Sequence, residues 1–381
     1  LTTWLLLLCF AQNALTLDEL IDQALANNGD LKAYQHRREA ALEEANALSI
    51  LPDPTIMLGL ALQPVETRVG PQRGNLQMSQ MMPWPGQLRA KSAMALSKAD
   101  IHDKDGLTWA AGLRRDLSLS WYELYFLQRK SAVEKESLQL VIQMESVARA
   151  RFRTSQSSFA FVVQAQSQLA ELTEQIAGTD DDIDALLARI AGIAALDKLP
   201  IVGEIDLGKK PVRAPKHDQP LLAGLEARAE MARRNQVVSR FLLKPNFTFG
   251  LNYIYTDPAL NPATPDSGKD PLIATVALNI PLYRKRAHAQ IGVDRALEKA
   301  TYDQYSQARR QVNAAILEHQ TLLRKARRRT DLYDQTLIPQ ARDAMSTTLQ
   351  AFRTGELEFT SVIAAQQSLL RAQLGKERAH A

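Results

Sequence analysis

The side chains able to hold a metal or drive catalysis are scattered along this chain rather than gathered. Its six histidines, His36, His102, His217, His288, His319 and His380, lack the short spacings that let imidazoles converge on one ion, and read as helix-surface residues. Asp180, Asp181, Asp182 and Asp184 crowd carboxylates together, but no glycine turns a calcium loop there and no glutamate closes it. A solvated helix face is the reading. No glycine-rich phosphate loop ends in Gly-Lys-Ser, and no two histidines flank a glutamate at helical spacing. Met78, Met81, Met82 and Met94 carry soft thioethers that could suggest a metal relay, yet packing in a core or against lipid accounts for them. The chain is therefore read as a non-enzyme without cofactor or metal.

Composition narrows the class further. Hydrophobic residues make up 45% and charged residues 23% of 381 residues, which are folding rather than disordered values. The formal charge is only +4, and the basic residues do not form a stripe beside aromatics, so nucleic acid is not an expected partner. Arg324, Lys325, Arg327, Arg328 and Arg329 are the densest basic run. They read as an exposed helix surface, with contact to an acidic partner as the alternative.

The opening resembles a processed export signal. Trp4 to Ala11 is apolar, Ala11 and Ala14 are small residues suited to cleavage, and the chain turns polar after them. The run is too short to span a bilayer as a helix. No basic residue precedes it, so the basic start of the signal is expected to be missing. Residues 1–14 are assigned as the signal remnant. Cys9, the only cysteine, follows three leucines rather than a small residue, which fits a lipoprotein box poorly; it reads as a signal residue, with acylation as the alternative.

Internal repetition is the most informative feature. Phe152-Arg153-Thr154-Ser155 and Phe352-Arg353-Thr354-Gly355 stand 200 positions apart. At the same offset Phe159 matches Phe359, Gln166 matches Gln366 and Leu169 matches Leu369. Leu51-Pro52-Asp53-Pro54 and Lys244-Pro245-Asn246 each introduce an alternating stretch, and Pro83-Trp84-Pro85-Gly86 corresponds to Pro281-Leu282-Tyr283-Arg284. Landmarks that recur in one order make the chain a tandem duplication. The repeats are expected over 15–198 and 217–381, joined by a Pro- and Gly-rich linker at 199–216.

Each repeat reads as helix, strand, loop, strand, long helix, helix. Over Asn246 to Tyr255, Phe247, Phe249, Leu251, Tyr253 and Tyr255 point one way and Thr248, Gly250 and Asn252 the other. Leu272 to Ile280 repeats the alternation, as do Ile56, Leu58, Leu60 and Leu62 opposite Thr55, Gly59 and Gln63, followed by Asn75 to Met81. Strands of about 8 to 11 residues approach the ~9 to 11 that cross a bilayer when tilted. A half-buried soluble sheet would alternate equally. Four strands cannot close a barrel, however, and hydrocarbon does not tolerate open edges, so membrane strands here would need other copies. Two copies give eight strands and three give twelve, and barrels of both sizes exist.

The long helices supply the rest. From about Leu88 to Arg153 and from about Ala287 to Arg353 the only proline is Pro339, which is expected to kink or interrupt its helix. Val312, Ile316, His319, Leu323, Ala326, Thr330, Tyr333 and Leu337 follow steps of four and three, as do Leu113, Leu117, Ser120, Leu124 and Leu127. Some 66 helical residues would reach about 100 Å at ~1.5 Å each. Stripes so rich in Ala, Ser, Thr and Gln suit helices packed sideways into a wall with a wetted far face.

With these landmarks the chain resembles the outer-membrane efflux protein family of TolC, from about Leu15 to Gln373. The Pro-Trp-Pro-Gly and Pro-Leu-Tyr-Arg junctions and the Phe-Arg-Thr-Gly turn carry the likeness, and Met81 to Gly86 is most similar to the ducts of metal-ion efflux systems. The resemblance implies a mainly α fold with a small β part: a homotrimer with a twelve-stranded β-barrel in outer-membrane lipid, four strands per chain, and an α-helical tunnel through the periplasm. It implies a passive exit duct for metal ions or small toxic compounds, working with a periplasmic adaptor and an inner-membrane pump. A type I secretion duct and a soluble periplasmic coiled-coil scaffold are the alternatives. The turns at Thr154-Ser155 and Thr354-Gly355 are implied as the closed tip. Beyond the resemblance, Phe159 and Phe359 are expected to pack back between neighbouring helices as a latch that holds the tip shut, and Phe247, Phe249, Leu251 and Tyr253 are expected to face lipid. Many relatives place aspartates just after each turn, but the matching positions here, near Phe161 and Gln164 and at Ser361 and Ala364, are uncharged. An acidic pore ring is not expected. The chain ends at Ala381, inside or just beyond the last helix, and the C-terminal part of the mid-tunnel belt is expected to be short or absent.

Overall fold

A computed structural model describes residues 15–200, 202–203, 205, 219–261 and 263–381. The signal remnant, Cys9 and most of the linker therefore lie outside the described residues. Eight α-helices and four strands occur among those described. Helices α1 (Leu17–Asn27) and α2 (Gly29–Ser49) lead to strands β1 (Thr55–Leu60) and β2 (Gln72–Met82), followed by α3 (Gln87–Arg153) and α4 (Phe159–Ile193). The second series is α5 (Pro220–Arg240), β3 (Asn246–Thr256), β4 (Leu272–Asn279), α6 (Arg284–Leu332), α7 (Ile338–Thr354) and α8 (Phe359–His380).

Chain contacts gather these elements into two compact units. One holds residues up to 29 with 109–217 and 311–381; the other holds 30–108 and 218–310. Each repeat contributes to both.

In the unit built on 30–108 and 218–310, the strands form one antiparallel sheet in the order β1-β2-β3-β4. β1 ends at Leu60, so the expected extension through Leu62 to Gln63 is absent; Leu62 is almost fully exposed. β2 starts three residues before the expected Asn75, and the β2–β3 register shifts between Gln72 and Gly74, where the ladder gives way to the loops.

The other unit is a packed helical assembly. Val141, Met144 and Ala148 of α3, Val162, Ala165 and Leu172 of α4, Met345 and Phe352 of α7, and Phe359, Val362 and Leu369 of α8 form a buried hydrophobic cluster in it. Several of these side chains repeat at an offset of 200, so the duplication is a duplication of core contacts. At the start of α1, Thr16 and Glu19 form a reciprocal capping box, each side chain accepting from the other's backbone N–H.

Pro339 does break its helix, through a particular device. Tyr333–Leu337 forms a π-turn in which the Ile338 N–H donates to the Tyr333 carbonyl, and α7 starts with Pro339 in its first turn. Proline has no N–H to give, and widening the preceding turn by one residue keeps the neighbouring ladder paired.

Candidate functional site

The sheet has two unlike faces. Register places Leu251 opposite Met78 and Ala274, and Met78 opposite Ile56. The same face continues with Leu58, Leu76, Tyr253 and Leu272 in one row, and with Phe249 and Val276 in another. Ile56, Leu58, Leu76, Met78, Phe249, Leu251, Tyr253, Leu272 and Val276 are all exposed. An apolar surface reaching across four strands, left uncovered, needs an apolar environment. Gln80 is the polar exception, and its amide donates to the Pro52 carbonyl at 2.7 Å beside β1. The opposite face carries Ser79, Gly250 and Thr275 in one row and Met57, Gln77, Asn252 and Ile273 in the next, so it is mixed rather than apolar, with Asn75 donating to Asn252 at 3.4 Å. Phe247, Phe249, Leu251 and Tyr253 thus share the apolar face, and Thr248 and Asn252 the mixed one.

The loops at the far end of the strands are tied to each other. Gly268 N–H donates to Val69 O at 2.8 Å, Asp257 N–H to Pro71 O at 2.9 Å, and Arg73 pairs with Asp257 at 2.5 Å. Gly70, at φ +123°, passes so close to the Asp257 carbonyl that any Cβ would overlap it. The Tyr253 hydroxyl donates to Asp270 at the same end.

The two helical turns are built alike. After α3, the Gln156 N–H donates to Arg151 O at 2.9 Å; after α7, the Glu356 N–H donates to Ala351 O at 2.9 Å. Both are six-to-one closures around a left-handed residue, Ser155 at φ 58° and Gly355 at φ 89°. The structure thus places Thr154-Ser155 and Thr354-Gly355 at matching helix ends.

Behind the turns the symmetry fails. Phe359 is fully buried, 5.3 Å from Phe352 and 5.9 Å from Phe161 between ring centroids. Phe159 is 56% exposed and, among the rings of the described residues, meets only Phe152, at 5.3 Å. Within the chain, Phe359 packs among neighbouring helices and Phe159 stays half bare beside Phe152. Ser361 stands where Phe161 stands in the first repeat, and it cannot fill against Phe159 as Phe161 fills against Phe359.

Arg151 was not among the expected site residues. Its guanidinium lies 4.8 Å from the Phe352 ring centroid, donates to the Phe352 carbonyl, and donates to Gln156 O at 3.0 Å. One side chain thereby joins the end of α3 to the end of α7. The position aligned with it is Ala351, so a mismatch between otherwise matching repeats was the available signal.

Polar groups elsewhere are engaged in packing. Asp180 accepts from Ser131 at 3.0 Å and lies 3.5 Å from Lys135. Glu134, buried, accepts from Thr179 at 2.8 Å. Burial pushes the pKa of His102 below its ordinary value. Among the described residues, no helix is long and apolar enough to cross a membrane.

No protein-family model and no curated protein matches the sequence. Solved structures do match by shape. The outer membrane protein VceC of Vibrio cholerae superposes with a TM-score of 0.77 at 18% identity, over 96% of this chain and 92% of that one. CusC, whose structures describe folding and transmembrane channel formation, gives 0.79 at 13% identity, over 95% and 88%. The open state of the MtrE outer membrane channel of Neisseria gonorrhoeae gives 0.73 at 14%, over 95% and 86%. The sheet, the long helices and the paired turns together place this chain in the TolC-like fold of these outer-membrane channels.

Proposed function

We propose that the chain is one subunit of a homotrimeric outer-membrane duct through which a tripartite efflux pump expels small toxic compounds, metal ions among them. The observation that carries this reading is the exposed apolar sheet face with two unpaired edges, β1 and β4. Hydrocarbon satisfies the face but not the edges, so the sheet must close with copies of itself, and three copies make twelve strands. Lipid then covers Phe249 and Leu251, while the Asn75, Gln77 and Asn252 side lines a wet lumen. The helices form the periplasmic tunnel, and the turns at Ser155 and Gly355 form its lower end. A periplasmic adaptor and an inner-membrane pump deliver the cargo, and the duct itself does no chemistry.

Expression in a Gram-negative host tests this. The protein should fractionate with the outer membrane, require detergent for extraction, run as a heat-sensitive oligomer, and open ion-conducting channels in planar bilayers. Purification without detergent as a helical monomer would instead establish the soluble scaffold.

A further inference from the structure

The apolar face of the sheet ends differently at its two rims. At the loop rim, Tyr253 reaches a carboxylate, Asp270. At the helix rim, the ring of Trp84 stacks on Phe247, the first apolar-face residue of β3, with centroids 6.0 Å apart and planes 23° from parallel. The Trp84 backbone N–H is held by the Asn246 side chain at 3.4 Å. The ammonium of Lys244 lies 5.5 Å from the Trp84 centroid. Moving outward from the sheet, the order is phenyl, indole, ammonium. That is the sequence of polarities met on leaving a bilayer: hydrocarbon, interface, charged headgroup layer.

More cations stand at the same rim. Pairing of Asn246 with Asn279 brings the end of β4 level with the start of β3, so Arg284, Lys285 and Arg286 follow within a turn or two. All three are exposed, as is Lys244, and among the described residues none of the four takes part in an ion pair. Segments 50–55, 82–87, 243–247 and 279–287 hold these four cations and a single acid, Asp53. Leu282 and Tyr283, among the most exposed apolar and aromatic residues of the chain, lie directly before Arg284.

We propose that this rim is a binding surface for anionic phospholipid: the headgroup phosphate sits against Lys244 and the Arg284-Lys285-Arg286 run, and the adjoining acyl chains lie along Trp84 and Phe247. The inference rests on the membrane reading above and adds to it the lipid class and the rim that binds it. Each cation near an anionic surface is worth roughly a fivefold preference, reduced by salt.

The test uses the full-length oligomer in proteoliposomes of phosphatidylcholine containing acyl-brominated phosphatidylglycerol or acyl-brominated phosphatidylcholine. Fluorescence lost in the native protein but not in Trp84→Phe reports lipid at Trp84. Brominated phosphatidylglycerol should quench Trp84 at a mole fraction at least about fivefold lower than brominated phosphatidylcholine. Lys244→Gln with Lys285→Gln should bring the two lipids close to equal, Lys244→Arg should keep the preference, and half-molar salt should weaken it. Insertion and the heat-sensitive oligomer are scored in every variant, so a folding defect is not mistaken for lost binding. Equal quenching by both lipids in an inserted oligomer overturns the lipid site and leaves the membrane reading standing. An inserted oligomer whose Trp84 neither lipid quenches does the same. Protein that stays outside the bilayer overturns both.

Discussion

Arg151 of the first repeat holds Phe352 of the second by two routes at once, its guanidinium over the ring at 4.8 Å and an N–H on the carbonyl. The aligned position in the second repeat is Ala351, so the chain has one such link, running from the α3 end to the α7 end. A cation over an aromatic ring contributes ~0.5 to 2 kcal/mol, and a charged donor on a carbonyl a comparable amount. Arg151→Ala should therefore speed hydrogen exchange of the amides around 352–358, with the helices otherwise intact. Arg151→Lys should recover part of the protection, because an ammonium can face the ring or the carbonyl but lacks the flat fork that serves both. Unchanged exchange in Arg151→Ala would show that the link is not holding the turn.

The paired turns predict substitutions of opposite sign. Ser155 adopts a left-handed φ of 58°, which a side chain disfavours by about 1 to 2 kcal/mol. Ser155→Gly should stabilise the first hairpin by about 1 kcal/mol. Gly355→Ala should destabilise the second by a similar amount, since the new methyl would also stand 3.1 Å from the Arg151 guanidinium. Heat dissociation of the oligomer, compared across both variants, checks the order: Ser155→Gly above native, Gly355→Ala below.

The π-turn before Pro339 has a partner. A Cβ on Gly375 would sit 2.4 Å from the Tyr333 hydroxyl and 2.5 Å from its ring carbon, so α8 comes close because Gly375 has no side chain. Gly375→Ala should displace Tyr333 and destabilise by about 1 to 3 kcal/mol, as overpacking does. Tyr333→Leu in the same chain should restore much of the loss. A double variant no better than Gly375→Ala alone would place the strain elsewhere.

Across the sheet, Leu251 and Asn252 are neighbours on opposite faces. An arginine at Leu251 should cost ~2 to 4 kcal/mol in a bilayer midplane, whereas at Asn252 it stands between Gln77 and Ile273 on the mixed face, near Asn75. Leu251→Arg should lower the amount of assembled oligomer in outer membranes, and Asn252→Arg should leave it near native. Equal assembly of the two would reverse the assignment of the faces.

Sequence alone carried the features that depend on period and repetition. Alternation along Asn246 to Tyr255 set the sheet faces, because a period of two leaves no choice of side once the strand is paired. Pro339 marked the interruption of its helix, although the π-turn that accommodates it depends on how the flanking turns keep their hydrogen bonds. The role of Arg151 was hidden, since one arginine among many near a helix end gives no local signal, and its ring partner lies 201 positions away. The difference between Phe159 and Phe359 was hidden for a related reason. The two residues are identical, and the rings that bury Phe359, those of Phe161 and Phe352, meet it only after the helices pack.

That difference sets the last prediction. Phe359 lies wholly inside the cluster with Phe352 and Phe161, so Phe359→Ala opens a cavity and should cost ~3 to 5 kcal/mol. Phe159 leaves more than half its surface bare within the chain, so Phe159→Ala should cost the single chain little. On the proposed trimer, that bare ring would be free to meet a neighbouring copy, and its loss is then expected to affect the tip more than the fold of the single chain. Phe159→Ala should therefore raise single-channel conductance while oligomers keep nearly native heat stability, and Phe359→Ala should lower heat stability first. The double variant should do both, and should admit antibiotics into cells that carry it. Equal heat stability of the two single variants would remove the asymmetry, and a double variant that conducts at the closed level with oligomers intact would move the gate away from these rings, toward the Arg151 link or another level of the tunnel.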